Sequence, residues 1–152
     1  MTTLSEKLGS FGVVPVVAIE NAEHAVPLGE ALIAGGLPCA EITFRTAAAQ
    51  DAIRNMTTAF PEMVVGAGTV LNVEQAKQAQ AAGAKFIVAP GFDADVVDWC
   101  LANDMLITPG VVTPSEITAA LAKGLNLLKF FPAEAAGGMK MLKAVGGPFG
   151  GV

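Results

Sequence analysis

The stretch that decides the fold is VVGAGTVLNVEQAKQAQAAGAKFIVA, residues 64–89. It opens with a short apolar run, Val64-Val65-Gly66-Ala67-Gly68-Thr69, and closes with another, Phe86-Ile87-Val88-Ala89. Between them, Asn72 and Gln75 have the spacing of a helix-start capping box, and Gly83 supplies a stop. This is strand, helix, strand. Two strands joined by a helical crossover lie parallel, with the helix packed on the sheet.

The same unit recurs in both directions. Strands are predicted at residues 13–19, 39–44, 64–69, 86–89, 105–108 and 127–131, starting about 20 to 25 residues apart. Residues 2–11 read as a lead-in helix. Asn21 caps a helix running to about Ala34, with a kink expected at Pro27. Thr46 is expected to cap the next helix, which carries Ile53 and Met56 inward and stops at Pro61. Asp93 caps a fourth, with Val96, Val97, Cys100 and Leu101 inward. The Pro109-Gly110 pair is read as a turn ending the fifth strand. Thr113, Pro114 and Glu116 give the clearest helix start in the chain. A last helix spans about 139–145, where Met139, Met141 and Leu142 read as packing residues. A doubly wound sheet and a (β/α)8 TIM barrel both fit, and the near-constant period favours the barrel. Residues 1–152 are read as a single barrel domain of the α/β class with only about six βα units, its C-terminal part missing. Two more units would need roughly 40–60 residues.

Composition limits the function. The chain is 53% hydrophobic and 15% charged, with a mean hydropathy of +0.55. That agrees with strands buried on both faces and with a subunit interface. A net charge of −5 and the absence of any basic cluster argue against nucleic acid. The longest uncharged run, residues 8–19, is too short for a membrane span. The N-terminus lacks the layout of a signal peptide. Cys39 and Cys100 are read as reduced, buried thiols of a cytoplasmic protein. His24 is the only histidine, and is read as a surface or capping residue, so no histidine pair is available for a metal.

In parallel α/β architectures, functional groups collect at the carboxyl ends of the strands. Here those positions carry Glu41, Thr43 and Arg45, then Thr69, Pro90, Pro109 and Lys129. Strand parity puts Lys129 on one face with Leu127 and Phe131, and Leu128 with Phe130 on the other. An amine on an apolar face loses hydration and becomes a usable nucleophile toward a carbonyl. The alternatives are a lysine snorkelling its charge to water, or an internal ion pair of Glu41 with Arg45 or Lys129 that only orients the core. In the chemical reading, Lys129 forms a Schiff base and Glu41 relays protons. Arg45 grips a carboxylate, Thr69 adds a hydroxyl, and Phe131 forms an apolar wall. Gly66 and Gly68 are read as leaving room for a ligand. Such a set suits a small 2-oxo acid.

Three segments, Glu41-Ile42-Thr43-Phe44-Arg45-Thr46, Gly66-Ala67-Gly68-Thr69-Val70 and Lys129-Phe130-Phe131-Pro132-Ala133-Glu134, resemble those of the 2-keto-3-deoxy-6-phosphogluconate (KDPG) aldolase family, also called 4-hydroxy-2-oxoglutarate aldolases. Pro90-Gly91, Pro109-Gly110 and Gly147-Pro148-Phe149 match its pattern as well. The resemblance implies a class I aldehyde-lyase without a metal or other cofactor. Its reversible reaction would yield pyruvate and an aldehyde, D-glyceraldehyde 3-phosphate or glyoxylate. By the same resemblance Lys129 is the Schiff-base lysine and Glu41 the acid/base. Arg45 and Thr69 hold the pyruvate carboxylate, and Pro90 and Phe131 line the pocket. A cytoplasmic homotrimer of TIM barrels, without nucleic-acid or membrane partners, is the implied assembly. Two other classes stay open: a phosphate-binding barrel isomerase or synthase in which Lys129 is only an electrostatic partner, and an inactive barrel fragment.

Overall fold

The computed structural model describes residues 3–152. Helix α1 (Leu4–Phe11) starts at a capping box in which the Thr3 hydroxyl accepts from the Glu6 N–H and the Glu6 carboxylate accepts from the Thr3 N–H. Strand and helix then alternate: β1 (Val16–Val17), α2 (Ala25–Ala34), β2 (Cys39–Thr43), α3 (Ala49–Ala59), β3 (Val64–Gly68) and α4 (Val73–Ala81). They continue through β4 (Phe86–Ala89), α5 (Ala94–Ala102), β5 (Leu106–Val111), α6 (Pro114–Ala122), β6 (Lys129–Phe130) and α7 (Gly138–Gly146).

All five strand pairings are parallel, and the spatial order β1-β2-β3-β4-β5-β6 is the chain order. A doubly wound sheet reverses its strand order at a switch point. This one does not, so it is the arc of a barrel, curled with its helices on the outside. Alternation divides the side chains cleanly. Ala40, Ile42, Val65, Ala67, Ile87 and Ile107 face outward, where they pack on Ile53 and Met56 of α3 and on Val96, Val97 and Cys100 of α5. Cys39, Val64, Phe86 and Val88 face inward, and α1 covers them with Leu4, Leu8 and Phe11. The lead-in helix therefore closes the amino end of the arc.

Several local expectations are corrected. The helix expected from Asn21 is divided. Asn21 caps a 3-10 turn (Ala22–His24), and α2 begins at Ala25. Pro27 thus falls in the first turn of α2, where its missing N–H costs no helical bond. Thr46 does not cap α3, whose N-cap is Ala48. The Thr46 hydroxyl instead donates to the Ile19 carbonyl at 2.5 Å, tying two strand exits together. Leu101 points outward and is 43% exposed, because Val97 and Cys100 fill the inner stripe of α5. β5 does not turn at Pro109-Gly110. It pairs straight through, Ala89 with Pro109, Gly110 with Lys129 and Val111 with Phe130. Glycine is needed there because a Cβ at position 110 would collide with the Pro90 carbonyl. Met139 is 66% exposed rather than packed. α7 offers Leu142 and Val145, and the turn after it Phe149, to Leu128 and Phe130, across a gap of about 160 Å³.

Candidate active site

Strand β2 carries Glu41 and Thr43 on its inner face, and Arg45 follows in the turn beyond it. Register sets their neighbours: Glu41 is level with Gly66 and Thr43 with Gly68 on β3. Across the arc, β6 brings Lys129 level with Gly110. Thr69, Pro90 and Phe131 each lie one residue beyond a strand, at the carboxyl ends of β3, β4 and β6. The six residues expected from the sequence, Glu41, Arg45, Thr69, Pro90, Lys129 and Phe131, line one cavity of about 200 Å³ together with Val16. Lys129 and Phe131 face this cavity and Phe130 lines the gap under α7, as strand parity predicts. Leu128, ahead of β6, instead borders both that gap and a neighbouring cavity lined by Glu41, Leu127 and Lys129.

Glu41 is the buried charge of the site, 5% exposed. Its Oε1 has no hydrogen-bond partner among the described residues. Desolvation raises its pKa above the ordinary 4.5, while the positive charges of Lys129 and Arg45 pull the other way. The ion pairs among the described residues are Arg54–Asp51 and Lys123–Asp98, both on the outer surface. Glu41 is therefore bonded to neither cation, and the orienting ion pair considered from sequence is not formed. An unpartnered buried carboxyl is costly. Its cost is accounted for if the group handles a proton.

Lys129 is half-buried, and its Nζ stands 4.9 Å from the centroid of the Phe131 ring. Phe131 itself is 43% exposed, so it borders the mouth rather than sealing it. Thr69 adopts φ +54°, a left-handed conformation that a β-branched residue rarely takes. Strain of this kind costs on the order of 1–3 kcal/mol and concentrates at ligand sites. Arg45 is exposed, and its Nε–H donates to the Thr43 hydroxyl at 3.1 Å.

The two glycines of β3 do not leave space for a ligand. A Cβ at Gly66 would strike the Phe86 ring, and a Cβ at Gly68 would strike the Glu41 carboxyl. Both are glycine because the protein's own side chains lie across them. Sequence reasoning placed Thr43 on the right face but gave it no role, and it omitted Val16. The threonine could have been singled out by its position between Glu41 and Arg45 at alternate residues. Nothing marks Val16 before the arc is built. His24 is exposed at the junction of the 3-10 turn and α2, away from the cavity. No three His, Cys, Asp or Glu side chains among the described residues converge as a metal site, and no described helix is long and apolar enough to cross a membrane.

An amine, a desolvated carboxyl and a guanidinium around one small cavity can add nitrogen to a carbonyl, move a proton beside it and hold an anion. The chain's relatives fit that chemistry. Residues 4–152 match the family model for KDPG and KHG aldolase. The 2-dehydro-3-deoxy-phosphogluconate aldolase of Treponema pallidum (strain Nichols) is 49% identical over 149 residues, which are 98% of this chain and 71% of that protein. The KHG/KDPG aldolase of Escherichia coli (strain K12) is 45% identical over 148 residues, 97% of this chain and 70% of that one. Among solved structures, the KDPG aldolase of Legionella pneumophila, with pyruvate captured at low pH as a covalent carbinolamine intermediate, superposes with a TM-score of 0.89 at 42% identity. That match covers 91% of this chain and 68% of the other. With nearly its whole length matched, the chain belongs to the KDPG and KHG aldolase family.

Proposed function

We propose that the protein is a class I aldolase that cleaves 2-keto-3-deoxy-6-phosphogluconate to pyruvate and D-glyceraldehyde 3-phosphate, and 4-hydroxy-2-oxoglutarate to pyruvate and glyoxylate. The observation that carries this reading is the meeting of Lys129 with the unpartnered, desolvated carboxyl of Glu41 in one cavity. The Lys129 amine attacks C2 of the 2-oxo acid to give a carbinolamine. Loss of water, with a proton supplied by Glu41, leaves an iminium ion. Glu41, now ionised, takes the C4 hydroxyl proton. The C3–C4 bond breaks, its electron pair moves into the iminium as an enamine, and the aldehyde departs. Protonation at C3 and hydrolysis release pyruvate and restore the amine. Arg45 and Thr69 hold the pyruvate carboxylate, with Pro90 and Phe131 as apolar borders.

The family's barrel would be completed by two further βα units between β6 and β1, with residues 1–152 as six units of that single domain. A cytoplasmic homotrimer is the assembly we infer. Borohydride reduction in the presence of pyruvate tests the central step. A pyruvate-derived mass addition on Lys129, lost in Lys129→Ala, is expected. A folded sample that yields no adduct would rule the reading out.

A further inference from the structure

We propose that Thr43 is a positioning residue that presents Arg45 end-on to the substrate carboxylate, an inference that rests on the aldolase reading above. Thr43 is fully buried at the carboxyl end of β2. Its hydroxyl has two partners, and chemistry fixes the direction of both. The Arg45 Nε–H can only donate, so the hydroxyl oxygen accepts at 3.1 Å. The Val17 carbonyl can only accept, so the hydroxyl proton goes to it at 3.1 Å. The threonine thus anchors the guanidinium to the end of β1.

Two consequences follow for the ligand. Arg45 is a long, exposed side chain with no other hydrogen bond among the described residues. Left unanchored, it would lose rotamer freedom when it closed on an anion, and affinity would fall by that amount. With Nε engaged, the side-on approach through Nε and one Nη is closed. The Nη1 and Nη2 pair remains, two parallel donors suited to a single planar carboxylate. Valine keeps the shape of threonine and removes the hydroxyl, leaving the Arg45 Nε–H without its partner, while the Val17 carbonyl stays in the parallel β1–β2 ladder. Serine keeps the hydroxyl.

The test is the pyruvate concentration that gives half-maximal borohydride trapping on Lys129 in the 152-residue chain. Thr43→Val should raise it roughly ten-fold or more, with trapping at saturation unchanged, and Thr43→Ser should restore it to within about two-fold. Arg45→Ala should also raise it, and Thr43→Val on that background should add nothing. A Thr43→Val protein that traps pyruvate at wild-type concentrations, or penalties that add in the double variant, would overturn the inference alone. A wild-type chain that traps none overturns the aldolase reading and this inference with it. The NMR exchange rate of the Arg45 Nε–H gives a readout that needs no valine variant. Slowed exchange in wild type and Thr43→Ser is expected, and exchange as fast as in free arginine overturns the anchor.

Discussion

The carboxyl of Glu41 lies directly over Gly68, in the space where a side chain at that position would stand. A Cβ there would fall on Oε1 and come within 2.7 Å of both Cγ and Cδ of Glu41. Gly68 therefore sets where the proposed acid/base sits. Gly68→Ala should push the carboxyl aside while leaving Lys129 in place. Misplacing a reacting group by about 1 Å can cost on the order of 10²-fold in rate. Exchange of the pyruvate methyl protons with solvent should slow by about that factor, while the Lys129 adduct still accumulates on long incubation. Normal exchange, followed by NMR, would show that the contact does not position Glu41.

Replacing the carboxyl itself separates its chemistry from its burial. Glu41→Gln should bind pyruvate but slow proton transfer by roughly 10²–10⁴-fold. Stability should move the opposite way with pH. Burial raises the Glu41 pKa in the folded state, so above 4.5 the folded chain holds a proton that the unfolded chain has released. The unfolded state then binds fewer protons, and stability falls as pH rises through that window. Thermal unfolding of wild type and Glu41→Gln from pH 4.5 upward should show the wild type losing ground. Parallel curves would mean the carboxyl is not desolvated.

Helix α6 leads the chain into β6 and so into Lys129. Its start is a complete capping box: the Thr113 hydroxyl accepts from the Glu116 N–H at 3.3 Å, and the Glu116 carboxylate accepts from the Thr113 and Val112 N–H groups at 2.8 and 2.9 Å. Those bonds, the Thr113 backbone N–H foremost, hold the Glu116 carboxyl below its ordinary pKa. Thr113→Ala should cost about 1 kcal/mol, read from urea unfolding. An unchanged midpoint would show that the cap contributes nothing to the native fold.

Both thiols should be inert in the folded chain. Burial pushes Cys100 up to about 11 and raises Cys39 as well. The thiolate is the reactive form, so a disulfide reagent at pH 8 should label neither cysteine until denaturant is added. Rapid labelling of the native protein would contradict the packing of β2 and α5.

Much of this site is legible in the sequence alone. Glu41 and Thr43 share a strand face because pleated side chains alternate, and Lys129 faces the cavity with Phe131 for the same reason. Caps at Asn72, Asp93 and Thr113 were readable because the residue that accepts the first free N–H is a local matter. The same local reading failed at Thr46 and Pro109. At the first, a hydroxyl found a carbonyl 27 residues away, and at the second, strand pairing overrode a turn-like dipeptide.

Local preference and periodicity, both written in neighbouring residues, determined the alternation of strands and helices and the faces on which charged groups lie. Only the tertiary structure decided what each group meets there. It put Glu41 over Gly68 and hydrogen-bonded to neither nearby cation, the Phe86 ring over Gly66, and the Thr43 hydroxyl against the Val17 carbonyl. The physical reason is that those meetings join different strands of the arc. Their distances depend on register and curvature, which belong to the sheet as a whole and to no single segment of it.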